Sequence, residues 1–549
     1  MIGLRSNTGN KCWHVLVTLL LSLYLSFVFV GKMLIEICYR KKAMMANAGM
    51  SYFFLIYILI FLACVAGCYI LLNVLYRKGR ALFRFRSHKG KMSFGLFMGV
   101  FLPVLLLYLI YFYMYYPCGI STDTVNQWEQ AHSMQFNDHH PVFHTLLIRL
   151  VTRIVDSYPF VIVVQIVLLA VGIAYLAVTL RAWGLSLTVV WVVVFILGYG
   201  VHTRAILFYA WKDTAMSLLI LFLLPQMIEV FLSRGEWLKK PLHWIGLGAL
   251  LAAITLVRHN AVLFTFPLIV LLVLTYGGVR KSSILAGVLC LLLILGVKGP
   301  VYHLLDVKSN PDTYSETIGL PMTILSSAYS RAPERMSEEA YQFMSSLAPQ
   351  EEFAKKYIFG NYNSVKWDYI TQDMISKAAP SPMQVLSMTW DTIRTDTILA
   401  AMSVVELTDF VWEPLMDEVV YMGATQGEPM GNCRLTIIPE LEMLCYELTD
   451  LLYNAFSGPI FTQISAQIGF LILVMLLAWY VSQKEHGLTG LWLLLPILCY
   501  NFGTMLLLCG EDGRFFHFNC FVAYPIAILL LSRNRAVVEE TAVGDGNEY

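Results

Sequence analysis

Long apolar runs are the feature that most restricts what this chain can fold into. A helix that crosses a bilayer needs about 20 predominantly apolar residues, and the sequence contains twelve segments of about this kind. Backbone polar groups in lipid have to be satisfied within a helix or a closed barrel, so runs of this length predict an all-α polytopic membrane protein with about twelve transmembrane helices. The segments lie near residues 13–38, 50–76, 94–115, 158–180, 185–201, 213–232, 242–257, 260–275, 283–303, 457–481, 488–509 and 515–532.

Basic residues in the short loops predict how these helices are oriented. Loops rich in lysine and arginine stay cytoplasmic, and the loop after the second segment carries seven bases and no acid between Arg77 and Lys91. With that loop inside, both termini are cytoplasmic, whereas residues 116–157 and 304–456 lie outside the cell membrane. The bases at 40–42 would then also lie outside, which weakens the orientation of the first two helices.

The order of the segments predicts four regions. They are 1–93, two N-terminal transmembrane helices with the basic cytoplasmic loop; 94–303, a seven-helix module with the outer loop 116–157; 304–456, a mainly helical extracytoplasmic domain; and 457–549, three further transmembrane helices and a cytoplasmic tail.

Charge and cysteine content exclude some functions. The chain has 38 Lys and Arg against 37 Asp and Glu, a net charge of +1, so no nucleic-acid partner is expected. The 11 cysteines are scattered without a C-x-x-C pair and are typical of small buried hydrophobic residues, not of a zinc site. Whether Cys433 and Cys445 form a disulfide stays open at this point.

The outer loop 116–157 contains the first candidate for chemistry, Asp123. A Pro-x-Gly turn ends the preceding helix, and a hydroxyl residue can then cap a short helix on which Asp123 and Gln127 share a face. The carboxylate would be held near the membrane surface and point into a cavity. The alternative is that Asp123 only helps to cap the helix.

Further polar residues from distant parts of the chain are predicted to lie near the same outer face, where a single polar cavity would account for them. Arginine and lysine side chains there suit a lipid phosphate, although each could instead snorkel or form an ion pair. The predicted phosphate-binding residues are Lys212, Arg258, Arg514 and Lys298, and the predicted substrate-positioning residues are Gln127, His140, His144, Asp213, Asn260, Glu511 and Asp512.

Two motifs in the outer loop carry a resemblance to a known class of enzymes. The pattern P-x-G-x-x-x-D-x-x-x-Q ends at Gln127, and H-H-P-x-x-H-T ends at Thr145. Together they resemble the GT-C class of integral membrane glycosyltransferases, in particular a poorly characterised bacterial branch. The resemblance extends to the tripeptides that begin at Trp211, Arg258 and Arg514.

The resemblance implies that Asp123 is the catalytic or metal-binding carboxylate. The expected reaction is transfer of a sugar, with inversion, from a polyprenyl-phosphate donor to an extracytoplasmic glycan, lipid or polymer. Asp123 would act as general base, and the cations would stabilise the departing phosphate. A divalent cation could assist through Asp123 and His140, but their spacing matches no metal signature, and a positioning role for His140 is the favoured alternative.

Two other classes of function compete with the enzyme. A secondary transporter or a flippase of an envelope precursor would also have many spans, but such proteins are commonly built from two related halves, and no repeat is visible in this sequence. A non-catalytic scaffold for envelope assembly would leave the Asp123 loop without a purpose.

Overall fold

A computed structural model of the chain describes residues 7–44, 50–79, 82–200, 203, 206–308, 313–369, 380–415, 425–426, 430–456 and 458–533. Almost all regular structure in these ranges is helical. The exception is an antiparallel pair of two-residue strands, Gly119–Ile120 and Thr425–Gln426. The protein is therefore an all-α membrane protein, as predicted.

Seven helices in the described ranges are long and apolar enough to cross a bilayer. An eighth span results if Ile460–Ala466 and Ile468–Gln483, which meet at a bend of 73°, are counted together. Each remaining predicted segment contains an apolar helix of 10–17 residues, shorter than a usual span. The seven are Cys12–Arg40, Leu55–Lys78, Phe94–Met114, Tyr158–Ala182, Lys212–Leu232, Gly277–Leu304 and Gly513–Leu530.

The chain divides into two compact units. Unit 1 comprises Met1–Gly79, Pro311–Pro414 and Thr504–Asp512, and unit 2 comprises Arg80–Asn310, Leu415–Gly503 and Gly513–Tyr549. The region 304–456 that the sequence predicts as one domain therefore contributes to both units.

Unit 1 combines two long apolar helices with a group of shorter amphipathic ones. Tyr329, Phe353 and Tyr362 are fully buried in its aromatic core. Shorter helices such as Glu338–Leu347 and Pro382–Thr395 turn one apolar face inward. Its helices are Asn7–Ser26, Phe27–Gly31 (a π-helix), Lys32–Met44, Met50–Lys78, Thr313–Thr317, Gly319–Arg331, Pro333–Arg335 (3-10), Glu338–Leu347, Gln350–Lys356, Asn363–Tyr369, Pro382–Thr395 and Thr397–Trp412.

Unit 2 has a densely packed centre. In Tyr158–Ala182 and Lys212–Leu232, 67% and 72% of the apolar stretch is buried, compared with 11% in Gly277–Leu304. Helices that are apolar on every side can be buried in this way or face lipid.

The helices of unit 2 before residue 310 are Phe94–Met114, Thr122–Ser133, Val142–Thr152, Tyr158–Ala182, Leu187–Tyr199, Lys212–Leu232, Glu236–Lys239 (3-10), Pro241–Val257, His259–Ala261 (3-10), Val262–Thr275, Gly277–Val279 (3-10), Arg280–Gly296, Val297–Val301 (π) and Tyr302–Leu304. Those after residue 430 are Pro439–Phe456, Pro459–Ala466, Ile468–His486, Gly487–Gly490 (3-10), Leu491–Met505, whose last residues are assigned to unit 1, Gly513–Phe516 (3-10) and Asn519–Leu530.

Candidate functional site

Asp123 lies in the first turn of the short helix Thr122–Ser133 in unit 2. The N-cap is Ser121, whose hydroxyl accepts a hydrogen bond from the backbone N–H of Thr124 at 3.3 Å. Capping is thus performed by the neighbouring serine, and the carboxylate of Asp123 makes other contacts. Its place in the first turn favours a negative charge, because backbone N–H groups point toward it.

Three side chains surround this carboxylate. Arg514 Nη1 donates to Asp123 Oδ2 at 3.0 Å, Lys212 Nζ lies 3.9 Å from the same oxygen, and His140 Nε2 lies 3.8 Å from Oδ1. Burial raises the pKa of Asp123, but the charges of Lys212 and Arg514 outweigh burial and hold that pKa well below its usual range. Asp123 is therefore an ionised carboxylate clamped between two cations.

His140 is buried beside Asp123 and is a neutral imidazole. Its Nδ1 lies 2.8 Å from Lys212 Nζ, and since an ammonium group can only donate, Nδ1 has to accept. The ring proton is then on Nε2, the nitrogen that faces Asp123. Burial, followed by the charge of Lys212, lowers the pKa of His140, which agrees with this assignment.

A second carboxylate, Asp213, connects the two arginines of the cluster, Arg258 and Arg514. Arg258 forms a close ion pair with Asp213, and Arg514 Nε lies 3.7 Å from its other oxygen. The Arg514 guanidinium lies 4.9 Å from the centre of the Trp211 ring, and that of Arg258 lies 4.3 Å from the centre of the Phe515 ring. Aromatic faces of this kind stabilise a buried guanidinium.

Among the residues that the structure describes, the ion-paired groups of this cluster carry a surplus of positive charge. It contains three cations (Lys212, Arg258 and Arg514) and two carboxylates (Asp123 and Asp213). The ion pairs that the structure shows for these cations join distant segments of the chain. A group with one net positive charge, drawn from four parts of the chain, can bind an anion.

Two predicted positioning residues, Gln127 and His144, form a buried hydrogen-bonded group behind Asp123. Gln127 Nε2 donates to Thr145 Oγ1 at 3.2 Å, and Gln127 Oε1 lies 3.2 Å from His144 Nδ1. This group joins the helix of Asp123 to the following helix, Val142–Thr152, and so fixes the orientation of the carboxylate.

Lys298 and Asn260 are associated with a neighbouring histidine. Lys298 Nζ lies 3.2 Å from His259 Nδ1, and His259 Nε2 lies 3.6 Å from Asp138 Oδ1. Asn260 belongs to the same single turn as His259. Lys298 thus contacts His259, which in turn lies close to Asp138.

Glu511 and Asp512 belong to unit 1. Burial raises the pKa of Glu511 to about 7, and the nearby charges of Asp409 and Glu406 act in the same direction. Asp512 is buried.

In the described part of the chain, no group of three or more His, Cys, Asp or Glu side chains could hold a metal ion. Asp123 and His140 supply two donors, fewer than structural or catalytic zinc sites use. Cys433 is exposed, Cys445 is buried, and both are free thiols.

Several side chains in or beside the cluster were not predicted as site residues. Trp211 donates from Nε1 to Ser121 Oγ at 2.8 Å and so ties the Lys212 segment to the start of the Asp123 helix. Phe515, His259 and Asp138 also belong to this set. The sequence could have indicated these four residues, because each of them lies within or next to one of the motifs named in the sequence analysis.

No protein-family model matches the chain, and neither a curated protein nor a solved structure shows significant similarity to it.

Proposed function

We propose that this chain is a GT-C-type membrane glycosyltransferase with about twelve spanning helices, located in a bacterial cell membrane. It transfers a sugar, with inversion, from a polyprenyl-phosphate donor to an extracytoplasmic glycan, lipid or polymer. The observation that carries this proposal is the Asp123 carboxylate held between Lys212 and Arg514, with Arg258 and Asp213 directly behind.

The phosphate of the donor binds to the cations of this cluster. Arg514 and Arg258 present planar guanidinium groups that match phosphate oxygens, and Lys212 adds a point charge. All three are mostly buried, and burial strengthens their attraction for an anion relative to bulk water. The surplus positive charge of the cluster favours a singly or doubly charged phosphate over a neutral ligand.

The reaction needs one base and one stabilised leaving group. An acceptor hydroxyl oxygen attacks the anomeric carbon of the sugar, while the bond from that carbon to the phosphate oxygen breaks. The departing phosphate keeps the electron pair and is stabilised by Arg514, Arg258 and Lys212. Asp123 takes the hydroxyl proton, and attack from the face opposite the phosphate inverts the anomeric centre.

Donor binding changes the basicity of Asp123. Without an anion, the two cations lower the pKa of its carboxyl and make it a weak base. Phosphate oxygens compete for Arg514 and Lys212, and their negative charge opposes ionisation of the carboxyl. Both effects raise the pKa toward its usual range, so Asp123 becomes a better base when the donor is in place.

The test is the variant Asp123→Asn, assayed with a panel of polyprenyl-phosphate sugars in detergent or nanodiscs. We expect kcat to fall by about 10² to 10⁴, the usual range for loss of a general base. The thermal unfolding midpoint should fall slightly, because the variant loses the ionised carboxylate that Lys212 and Arg514 stabilise in the folded protein. The matched control is Glu129→Gln, because Glu129 is an exposed carboxylate on the same helix; it should retain activity within about twofold.

Two results would contradict the proposal. Undiminished transfer by Asp123→Asn would remove Asp123 as the base. No turnover of any donor by the wild-type protein, combined with movement of a lipid-linked precursor across liposome membranes, would support a transporter or flippase instead.

A further inference from the structure

Unit 2 contains two rows of side chains with the same chemistry and the same atom pairing. In the buried triad, Lys212 Nζ contacts His140 Nδ1 at 2.8 Å, and His140 Nε2 faces Asp123 Oδ1 at 3.8 Å. The second row, here called the exposed triad, consists of Lys298, His259 and Asp138. Its corresponding distances are 3.2 Å and 3.6 Å.

The two triads are linked through consecutive residues of one loop. Asp138 belongs to the exposed triad, His140 belongs to the buried triad, and the rings of His139 and His140 are 4.5 Å apart between their centres. A ligand that reaches the buried triad therefore has the exposed triad close by.

The exposed triad is held in place by its backbone. The N–H of Asp138 donates to the carbonyl of Lys308 at 3.0 Å, and the N–H of Lys308 donates to the carbonyl of Phe136 at 3.0 Å. Below this pairing, Phe136 packs with Val142 and Tyr302 in a small apolar cluster. The carboxylate is thus positioned by the fold, as preorganised binding requires.

Solvent reaches the exposed triad more readily than its buried counterpart. The side chain of His259 is 40% exposed and that of Asp138 is 29% exposed, compared with 5% for His140. Lys298 is also exposed. A ligand can therefore contact all three side chains.

Charge distinguishes the ligands that the two triads can bind. His259 Nδ1 accepts from the Lys298 ammonium, so the ring is neutral, and the charges of Lys298 and Asp138 cancel. A carboxylate repels phosphate but accepts hydrogen bonds from hydroxyl groups, while the ammonium group donates to hydroxyl oxygens. This set is suited to a neutral polyhydroxylated ligand and not to a second phosphate.

We propose that Asp138, His259 and Lys298 form a saccharide subsite that binds hydroxyl groups of the acceptor next to the reacting centre. This role rests on the proposed transferase function. It also changes the role of Lys298, which the sequence predicts to bind the donor phosphate, to recognition of the acceptor.

The experiment measures binding of neutral methyl glycosides of hexoses and N-acetylhexosamines by saturation-transfer NMR, with the protein in nanodiscs. We expect wild-type protein to bind at least one glycoside. Asp138→Asn and Lys298→Met should each weaken that binding at least fivefold. The matched control is Asp306→Asn, since Asp306 is an exposed carboxylate on a neighbouring segment; it should change binding less than twofold. Lys298→Met decides the result if Asp138→Asn does not fold.

Three outcomes would overturn the subsite. The first is that wild-type protein binds no glycoside. The second is that Asp138→Asn and Lys298→Met both bind the glycoside as tightly as wild type. The third is that Lys298→Met loses binding of inorganic pyrophosphate but still binds the glycoside.

Activity provides a second readout, which separates this proposal from the transferase proposal. Asp138→Asn should raise KM for the acceptor about tenfold and leave KM for the donor within twofold. Glycoside binding that depends on Asp138, without sugar transfer by wild-type protein, would contradict the transferase alone. If wild-type protein transfers the sugar but Asp138→Asn leaves glycoside binding unchanged, only the subsite proposal is contradicted.

Discussion

Arg514 is the residue that joins the two carboxylates of the cluster. Its Nη1 contacts Asp123 at 3.0 Å, its Nε lies 3.7 Å from Asp213, and its guanidinium lies on the face of Trp211. A lysine has a single charged nitrogen and no planar group, so it cannot reproduce these contacts together.

We therefore predict that Arg514→Lys reduces kcat/KM for sugar transfer by about 10- to 100-fold and raises KM for the donor. This loss corresponds to one or two strong polar contacts, at about 1.4 kcal/mol for each factor of ten. Steady-state kinetics with a polyprenyl-phosphate sugar measures it. Arg153→Lys, at an exposed arginine in unit 2, is the control, and equal losses in both variants would contradict a specific role for Arg514.

Glu511 predicts a pH dependence of stability in unit 1. Burial, with Asp409 and Glu406, raises the pKa of Glu511 to about 7, although Lys32 opposes the shift. A raised carboxyl pKa means that the folded state favours the protonated form. Stability is then fully present below the unfolded-state pKa, falls as pH rises toward 7, and stays reduced above it.

Glu511→Gln keeps the side chain neutral at every pH. We expect the variant to raise the thermal unfolding midpoint at pH 8 by about 2–4 °C, the shift typical of roughly 1 kcal/mol, and to leave it unchanged at pH 4.5. Differential scanning fluorimetry in detergent measures both midpoints. Glu339→Gln, at an exposed glutamate of unit 1, is the control and should shift neither midpoint. A Glu511→Gln variant with the same unfolding midpoint as wild type at pH 8 would refute the prediction.

At the scale of elements, the turn before the Asp123 helix depends on close packing at Gly119. A Cβ atom there would lie 1.7 Å from the ring of Tyr209. That ring stacks on Trp211 at 4.2 Å between centres. The backbone carbonyl of Gly119 also accepts a hydrogen bond from the Tyr158 hydroxyl at 2.7 Å. A side chain at 119 has to displace the aromatic stack that supports the Arg514 guanidinium.

Gly119→Ala should accordingly lower both activity and the thermal unfolding midpoint. We expect at least a tenfold loss of kcat/KM and a loss of stability of about 1–3 kcal/mol, the usual cost of overpacking. Gly99→Ala is the matched control, because a Cβ at Gly99 meets no atom within 4 Å. Wild-type activity in Gly119→Ala would show that the stack can move without effect on the site.

The sequence predicts elements well where one physical signal dominates. Apolar runs such as 94–115 and 158–180 correspond to helices Phe94–Met114 and Tyr158–Ala182, because an uninterrupted apolar run of this length identifies a helix in lipid. The short helix after Ser121 is also predicted, since its cap and turn are local in sequence. Shorter apolar helices such as Leu187–Tyr199 do not reach the length of a usual span, and hydropathy alone does not reveal this.

The sequence predicts which residues form the charged cluster better than it predicts which of their side chains contact each other. The motifs identify Asp123, Lys212, Arg258 and Arg514, and the structure brings these four together with Asp213. Which cation contacts which carboxylate depends on long-range packing, which a single sequence does not show. Lys298 is the clearest case, because its partner His259 lies 39 residues earlier in the chain.

For the whole molecule, the two faces of unit 2 should lie on opposite sides of the membrane. The loop with Arg84, Arg86 and Lys91 is exposed and strongly basic, which predicts a cytoplasmic location. The end of the Asp123 helix at Ser133 is predicted to lie outside. Both Ser87 and Ser133 are exposed and can each be replaced by a single reporter cysteine.

We predict that a membrane-impermeant maleimide, applied to intact spheroplasts, labels Ser133→Cys but not Ser87→Cys. Lysis should make both react, and a background with Cys12 and Cys433 replaced by serine removes the native exposed thiols. Labelling is quantified by gel shift. The reverse pattern would place Asp123 in the cytoplasm, and with it the donor.

The ion pair between Asp123 and Arg514 also has a consequence for biogenesis. The two residues are 391 positions apart in the chain, and at a translation rate of roughly 5–20 residues per second Arg514 is made roughly 20 to 80 s after Asp123. During that interval the nascent protein carries the carboxylate without its arginine partner. A ribosome that stalls upstream of Arg514 would leave an incomplete charge cluster in the membrane, a defect that quality-control proteases could recognise.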